Sequence, residues 1–289
     1  MSEVILHVLG TAQDAGLPHP NCYCKNCTEA ISNPQIRRFA ASLAIVLPEE
    51  KVWHLIDATP DLKVQMINVQ MKFNLKGQLM ESIFLTHAHL GHYPGLLFLG
   101  REAIGSSSVP VMAGTKMKRM LEEQAPWSQL TKLNNIEIRE INDGQAITVS
   151  PHVTIIPVDV PHRNEFSETF AYWIEGSKKK VLYIPDIDRW EQWDQDIYKA
   201  CEEADICLLD GTFYSAEDLE KIGRDYREIP HPLMTETMDR LQDLVEQTEI
   251  YFIHLNHSNP AIDSDKGIRS LIETKGFHIV EEGMNFLLS

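Results

Sequence analysis

Apolar residues occur along this chain mostly in short runs bounded by Gly, Pro, Asn or Asp, a pattern typical of β-strands. Two pairs of runs are separated by only a few turn residues, at 48–50 and 176–177, and we predict a β-hairpin at each. Strands are predicted at 4–9, 40–47, 51–56, 82–85, 109–113, 169–174, 180–184, 206–209 and 250–253, with further short strands within 136–158 and 277–288.

Helical patterns alternate with these strand-rich stretches. The chain has no Ser/Gly linker, low-complexity run or short-period repeat that would divide it. We therefore predict one α/β domain over residues 1–289, in which two mixed sheets face each other and helices cover the outside. Helices are predicted from 62 to about 73, from the histidine-rich segment described next to about 102, and at 116–123, 190–203, 233–246 and 268–274.

Segment 86–92 reads Thr-His-Ala-His-Leu-Gly-His and carries the strongest chemical signal. It follows the predicted strand at 82–85, so its side chains project from a rigid base. His87 and His89 are two residues apart and share a side where the backbone is extended, while His92 follows from the next turn. Neutral imidazole is the commonest metal ligand in proteins, and this spacing therefore predicts a metal site.

Three more residues of the ligand type come directly after predicted strands. They are His162, Asp186 and His254. Each alone would be ordinary, since an Asp after a strand is commonly a turn residue or a helix cap. Together with the histidines of segment 86–92, they supply five imidazoles and one carboxylate from four strand ends. That set of donors suits Zn, Mn or Fe.

A second signal is the spacing Cys22-x-Cys24-x-x-Cys27. Three thiolates in one short loop predict a structural zinc that needs one further ligand, and His19 or His231 is able to supply it. A redox pair formed by the last two cysteines is the competing interpretation. The zinc would order a Gly- and Pro-containing loop at about 10–30 that has little core of its own.

Net charge and composition limit the partners. The chain carries a formal charge of −16, which argues against nucleic acid and anionic membranes as partners but not against a small anionic substrate next to a metal. No apolar run approaches the roughly 20 residues of a membrane span, and the N-terminus lacks the features of a signal peptide. We therefore expect a cytoplasmic protein, with a homodimer as one option for its assembly.

Taken together, these features resemble the metallo-β-lactamase superfamily. The resemblance covers nearly the whole chain and implies an αββα four-layer sandwich with the metals at one edge. One branch is more similar, and it contains the pyrroloquinoline-quinone biosynthesis protein B family (PqqB-like) and the PhnP-type phosphodiesterases. The segments that carry this closer resemblance are 9–18, 22–27, 57–61, 209–213 and 254–260.

The resemblance implies two metal positions that share one bridging carboxylate, Asp186. In the family, the second position normally has an aspartate two residues after the second histidine, and Gly91 stands there in this chain. The second position is then weaker or holds a softer ion, or only one metal binds, or a carboxylate such as Asp14 or Asp61 compensates. The remaining implied ligands are His87, His89 and His162 for the first metal, and His92 and His254 for the second.

The resemblance also implies three supporting roles. His257 would complete the cysteine zinc site, and Asp57 would orient a ligand histidine. His231 matches the region where phosphodiesterase relatives place a histidine near the leaving group, and we expect it to act as general acid.

The expected function is hydrolysis of a small ester-like substrate, foremost a phosphodiester, through metal-bound hydroxide with one or two divalent ions. One alternative is a PqqB-like oxidative enzyme of quinone-cofactor biosynthesis with a single Fe at His87, His89, His162 and Asp186. The other is a binding protein without catalytic activity.

Overall fold

The computed structural model of the protein describes residues 2–262 and 267–289. In these ranges the strands follow the apolar runs of the sequence closely. They are β1 (Ile5–Gly10), β2 (Ser42–Leu47), β3 (Val52–Ile56), β4 (Ser82–Phe84), β5 (Val109–Ala113), β6 (Ile136–Glu140), β7 (Ile147–Ser150), β8 (Val153–Asp159), β9 (Phe170–Glu175), β10 (Lys180–Ile184), β11 (Ile206–Asp210), β12 (Glu249–Ile253), β13 (His278–Ile279) and β14 (Asn285–Leu287).

The helices are short, and several end in or are followed by 3₁₀ turns. They are α1 (Lys25–Ser32), α2 (Leu62–Lys72), α3 (Thr115–Glu123), α4 (Trp127–Lys132), α5 (Ile197–Glu202), α6 (Ala216–Lys221), α7 (Met234–Leu241) and α8 (Gly267–Thr274). Among the helices of the described ranges, none combines the length and apolar character needed to cross a membrane.

The strands of the described ranges form two mixed seven-stranded sheets. The first has the order β14-β1-β2-β3-β4-β5-β6, and the second has the order β13-β12-β11-β10-β9-β8-β7. Both predicted hairpins are present as antiparallel pairs, β2 with β3 and β9 with β10. Parallel strands run from β3 to β6 and from β10 to β13, so their carboxyl ends gather at a common edge of each sheet.

Three apolar layers hold the sheets and helices together. Side chains alternate along each strand: Leu43 and Ile45 of β2 enter the layer between the sheets, while Ala44 and Val46 enter the layer under α2, α3 and α4. A third layer lies between the second sheet and α5, α7 and α8. The observed arrangement is the αββα sandwich, and the predicted fold class is therefore confirmed.

Three predicted elements differ from the structure. The helix predicted at 190–203 is a 3₁₀ turn, Trp190–Gln192, and a separate short helix, α5. The helix expected after the histidines is a 3₁₀ segment, Pro94–Leu99, in which N–H groups bond to the carbonyl oxygen three residues back, as Leu96 does to Tyr93 at 3.1 Å and Gly100 does to Leu97 at 3.1 Å. The expected terminal strand pair does not pair with itself. Instead β13 joins the second sheet beside β12 and β14 joins the first beside β1, and the chain crosses between them with Gly283 at φ 86°.

Glu282, beside the loop that leads into β2, gives a pH-dependent contribution to stability. It accepts a hydrogen bond from the Phe39 N–H, and burial raises its pKa to about 8 against the opposing effects of that N–H and of Arg38. The folded chain thus keeps a proton that the unfolded chain, with a pKa near 4.5, releases. This contribution to the free energy of unfolding falls as pH rises from about 4.5 to about 8 and then levels off.

We predict that Glu282→Gln, which stays neutral at every pH, becomes progressively more stable than the wild type across this pH range. Urea unfolding at pH 5, 6, 7 and 8 measures the difference between the two proteins. Other titrating groups are common to both proteins and cancel in the comparison. Curves of unfolding free energy against pH that run parallel for the two proteins would contradict the prediction.

Candidate metal centre

The candidate ligands follow the ends of strands in both sheets and lie close together. Asp57 follows β3, His87 follows β4, and His162 follows β8, while Asp186 follows β10 and His254 follows β12. Asp57 and His254 have left-handed backbone, with φ of 64° and 63°. Such a conformation costs a non-glycine residue about 1–3 kcal/mol and is typical of functional sites.

The first candidate ligand group consists of His87, His89 and His162, whose donor atoms face a common point. The Nδ1 atom of His89 lies 2.8 Å from Nε2 of His87 and 3.3 Å from Nε2 of His162. Burial lowers the pKa of His87 well below 6.5 and also lowers that of His89. Both imidazoles are therefore neutral, which is the form that binds a metal.

Asp186 lies between the candidate metal positions. Its Oδ2 is 3.1 Å from Nε2 of His92 and 3.1 Å from Nε2 of His254, and it is 3.7 Å from Nε2 of His87. Its Oδ1 is 3.7 Å from Nε2 of His162. Burial opposes ionisation, but the surrounding imidazoles outweigh it and hold the pKa of Asp186 well below its usual range.

The second candidate ligand group contains His92, His254 and Asp14. Within the described residues, Nε2 of both histidines and Oδ2 of Asp186 are buried, and although they lie 3.1 Å apart no contact among them has hydrogen-bond geometry. Leaving buried polar atoms unpaired costs about 1–3 kcal/mol each, so three that converge indicate a missing ligand. Two imidazoles and carboxylates fit a divalent ion such as Zn²⁺, Mn²⁺ or Fe²⁺.

Asp57 contacts the candidate ligand His92 at the ring nitrogen that does not face Asp186. Its Oδ2 lies 2.7 Å from Nδ1 of His92, and its Oδ1 accepts the N–H of Thr86 at 2.8 Å. The hydrogen bond to Nδ1 fixes the tautomer of His92 and leaves Nε2 directed toward Asp186, which is the arrangement expected for Asp57.

Two further supports were not found from the sequence. Asp188 lies 2.9 Å from Nδ1 of His162, and the hydroxyl of Thr212 lies 3.1 Å from Nδ1 of His254. Asp188 stands two residues after Asp186, but a second acidic residue near a strand end is too common to predict such a contact.

His231 lies beside the centre and forms a pair with Asp210. The Oδ2 atom of Asp210 is 2.7 Å from Nδ1 of His231, and Oδ1 of Asp186 is 3.6 Å from the same nitrogen. Burial lowers the pKa of His231, but the charges of the two carboxylates outweigh it and raise the pKa above 6.5. Both carboxylates lie on the Nδ1 side, so Nε2 is the nitrogen available to a substrate.

The three cysteines form a separate cluster with His257. Its Nδ1 lies 3.5 Å from Sγ of Cys22, 3.6 Å from Sγ of Cys24 and 3.6 Å from Sγ of Cys27. Bond lengths of about 2.3 Å for Zn–S and about 2.0–2.1 Å for Zn–N give separations near these in a tetrahedral site. Burial lowers the pKa of His257 to about 4, so its imidazole is neutral.

The structure thus favours His257 over the other two candidates for the fourth position. His19 stacks on His257 at 4.4 Å between ring centroids and donates its backbone N–H to Cys27 Sγ, while His231 belongs to the other centre. His257 is three residues after His254, so one short segment connects the two clusters.

We predict that Cys24→Ala binds little zinc at this cluster. We also expect it to melt at least about 5 °C below the wild type, since a loss of about 1 kcal/mol lowers the melting temperature of a large domain by roughly 2–4 °C. Metal analysis and thermal unfolding measure the two effects. Cys201→Ala is the matched control, because Cys201 is a buried thiol outside the cluster, and it should keep the zinc. Equal zinc contents in the two variants would contradict the prediction.

A cavity of about 770 Å³ lies between the two clusters. Asp14 and His231 line it on the side of the metal centre, and Cys22, Cys24 and His257 line it on the other. Two cations, Arg163 and Arg224, also line it. The carboxylates of Asp225 and Glu228 line it as well, so the wall beside the candidate ligands carries charges of both signs.

Residues 52–255 match the family described as the β-lactamase superfamily domain. The chain therefore belongs to the metallo-β-lactamase superfamily, and the resemblance inferred from its motifs is confirmed.

Curated relatives carry the name coenzyme PQQ synthesis protein B. The protein from Methylorubrum extorquens (strain PA1) is 25% identical over 296 residues, covering 96% of this chain and 97% of the relative. The one from Rhizobium meliloti (strain 1021) is 26% identical over 310 residues, covering 99% of both chains.

Two solved structures share the fold. Zn²⁺-bound PqqB from Methylobacterium extorquens superposes with a TM-score of 0.82 at 22% identity over 98% of this chain and 99% of that chain. A diphosphatase of the PhnP family superposes with a TM-score of 0.72 at 21% identity over 99% of this chain and 97% of that chain.

Proposed function

We propose that this protein is a metal-dependent hydrolase of small anionic esters, with phosphodiesters as the foremost substrate class. The observation that carries the proposal is the arrangement of two candidate ligand groups around Asp186, with His231 and two arginines beside them. Neighbouring groups of this composition are typical of hydrolases that cleave phosphoesters with two metals.

His87, His89 and His162 would hold one divalent ion, and His92, His254 and Asp186 would hold a second. Ions bound at such positions activate water and polarise a phosphoryl oxygen. The chain itself has three other tasks: to bind the anionic substrate, to orient its own ligand histidines and to move a proton to the leaving group.

The cavity between the clusters would bind the anionic substrate. Arg163 and Arg224 line it together with Asp225 and Glu228, and a guanidinium donates paired hydrogen bonds to phosphate oxygens. Asn256 also lines the cavity and adds a polar side chain.

His231 would transfer a proton to the leaving group. Asp210 holds Nδ1 of His231, so that a proton on Nε2 is directed away from the carboxylates. The carboxylates of Asp210 and Asp186 raise the pKa of His231, which favours the protonated ring that a general acid requires.

The test uses purified protein with added Mn²⁺ or Zn²⁺. Its substrates are bis(p-nitrophenyl) phosphate, a cyclic nucleotide phosphate and a diphosphate ester. We expect metal-dependent turnover that His162→Ala reduces to background, because that variant removes one donor of the first group. Absence of turnover on all three substrate types would refute the proposal.

A second candidate is an oxidative reaction at a single iron, which the sequence similarity to coenzyme PQQ synthesis protein B favours. Metal analysis of protein purified without chelators separates the two functions. One tightly held Fe and one Zn per chain would support oxidation, and two or three Zn or Mn ions would support hydrolysis.

A further inference from the structure

We propose that Asp14 supplies the carboxylate ligand of the second metal position, from a loop far from the other ligands in the sequence. The inference rests on the proposed metal centre and identifies one of its ligands. A carboxylate oxygen of Asp14 and one ring nitrogen each of His92 and His254 all lie within 4.8 Å of one another. This separation is short enough for one divalent ion to contact all three.

Buried atoms at this position point to the same ligand. The Nε2 atoms of His92 and His254 are buried without a hydrogen-bonding partner among the described residues. The pair shares Oδ2 of Asp186, at 3.1 Å from each nitrogen. Asp14 adds a second carboxylate, and the site then offers two nitrogens and two oxygens, enough for a four-coordinate ion.

Gly91 explains how the Asp14 loop reaches this position. The N–H of Gly91 donates to Oδ1 of Asp14 at 3.0 Å. A Cβ atom at position 91 would lie 2.7 Å from Cα of Asp14 and 2.9 Å from its Oδ1. Both distances are shorter than the contacts that Cβ atoms make in folded proteins. A side chain at position 91 is therefore incompatible with the observed position of the Asp14 loop. The absence of a side chain at Gly91 allows the carboxylate of Asp14 to occupy this place.

Gln13, directly before Asp14, joins the loop to the segment that follows His254. The N–H of Gln13 donates to the carbonyl oxygen of Leu255 at 2.9 Å, and the side chain of Asn256 donates to Gln13 Oε1 at 2.6 Å. Leu255 and Asn256 directly follow the ligand His254. Asp14 itself has φ of 33°, a backbone conformation that Asp and Asn adopt more readily than other non-glycine residues.

Asp61, the other carboxylate considered from the sequence, is engaged elsewhere. Its Oδ2 accepts the N–H of Ala40 at 2.9 Å, and it belongs to none of the ligand groups found among the described residues. It therefore provides a matched control of the same residue type.

The test measures zinc binding by the full chain, with its cysteine site loaded, by metal analysis and by titration against a chelator of known affinity. We expect three zinc ions per wild-type chain. Asp14→Ala should weaken the third ion at least as much as the ~10–100-fold that loss of a supporting residue costs. His92→Ala should do the same, Asp14→Asn should weaken it less, and Asp61→Asn should match the wild type.

Gly91→Ala provides a second route to the same ligand. If the added methyl group acts by displacing Asp14, it weakens the third ion, and the Asp14→Ala/Gly91→Ala double variant is no weaker than Asp14→Ala alone. Additive losses would show that Gly91 acts independently of Asp14.

An Asp14→Ala protein that keeps the third ion at wild-type affinity overturns the inference, and so does a wild type that binds only two ions. This readout does not depend on activity. Loss of the third ion in a protein that hydrolyses nothing would refute the proposed function and leave the ligand assignment standing.

Discussion

Asp186→Asn is expected to abolish metal-dependent hydrolysis, with a loss of about 10³-fold or more in kcat/KM. Asp186 is the carboxylate nearest to both candidate ligand groups, since its oxygens lie within 3.7 Å of ring nitrogens of His87, His92, His162 and His254. An amide keeps the shape but removes the charge and replaces one oxygen with a donor. Loss of bound ions removes several kcal/mol of stabilisation of the transition state, and each 1.36 kcal/mol is tenfold in rate.

The measurement combines metal content with steady-state kinetics. Asp188→Asn is the matched control, because Asp188 contacts the far nitrogen of His162 and not the candidate metal positions. It should weaken one ion by about 10–100-fold while leaving the second group intact. An Asp186→Asn protein with wild-type metal content would refute the bridging role.

The sequence was sufficient to predict the fold and most of the donor set because both depend on local patterns. Alternation of apolar residues places the strands, and residues that follow parallel strands meet at one edge of a sheet. His87, His89, Asp186 and His254 satisfy that rule. His162 follows β8, which pairs antiparallel with β7 and β9 but runs in the same direction as β10 and so ends at the same edge.

What the sequence could not decide depends on contacts between distant segments. Asp14 and Gly91 are 77 residues apart, and only the folded chain shows that the missing side chain of one makes room for the other. The pairing of Asp210 with His231 and the selection of His257 over His19 are of the same kind. In each case several residues of the right type were available, and distance decided between them.

The short 3₁₀ segment after the histidines is a different case. Local apolar spacing favoured a helix there, but the segment forms 3₁₀ turns and is joined to the loop after β3 by the N–H of Gly95. The same loop supports the centre, because the N–H of Ala58 donates to the carbonyl oxygen of His92 at 2.8 Å and so holds a ligand residue in place.

His231→Ala is expected to lower kcat by roughly 10²–10⁴-fold on substrates with poor leaving groups, the usual contribution of a general acid. The loss should be far smaller on bis(p-nitrophenyl) phosphate, because p-nitrophenolate needs no proton to depart. This difference between substrates distinguishes proton donation from a structural role, which would impair all substrates alike. Kinetics on an alkyl and an aryl phosphodiester under identical metal conditions provide the measurement.

Asp210→Asn should produce a weaker form of the same pattern. Asp210 would act through His231, whose Nδ1 lies 2.7 Å from its Oδ2, so its loss frees the ring to adopt the wrong tautomer. Because Nδ1 of His231 also lies 3.6 Å from Asp186, metal content must be measured in both variants. Wild-type metal content with a loss confined to poor leaving groups supports general acid catalysis. Loss of an ion in His231→Ala would instead identify His231 as a metal ligand and refute the assignment.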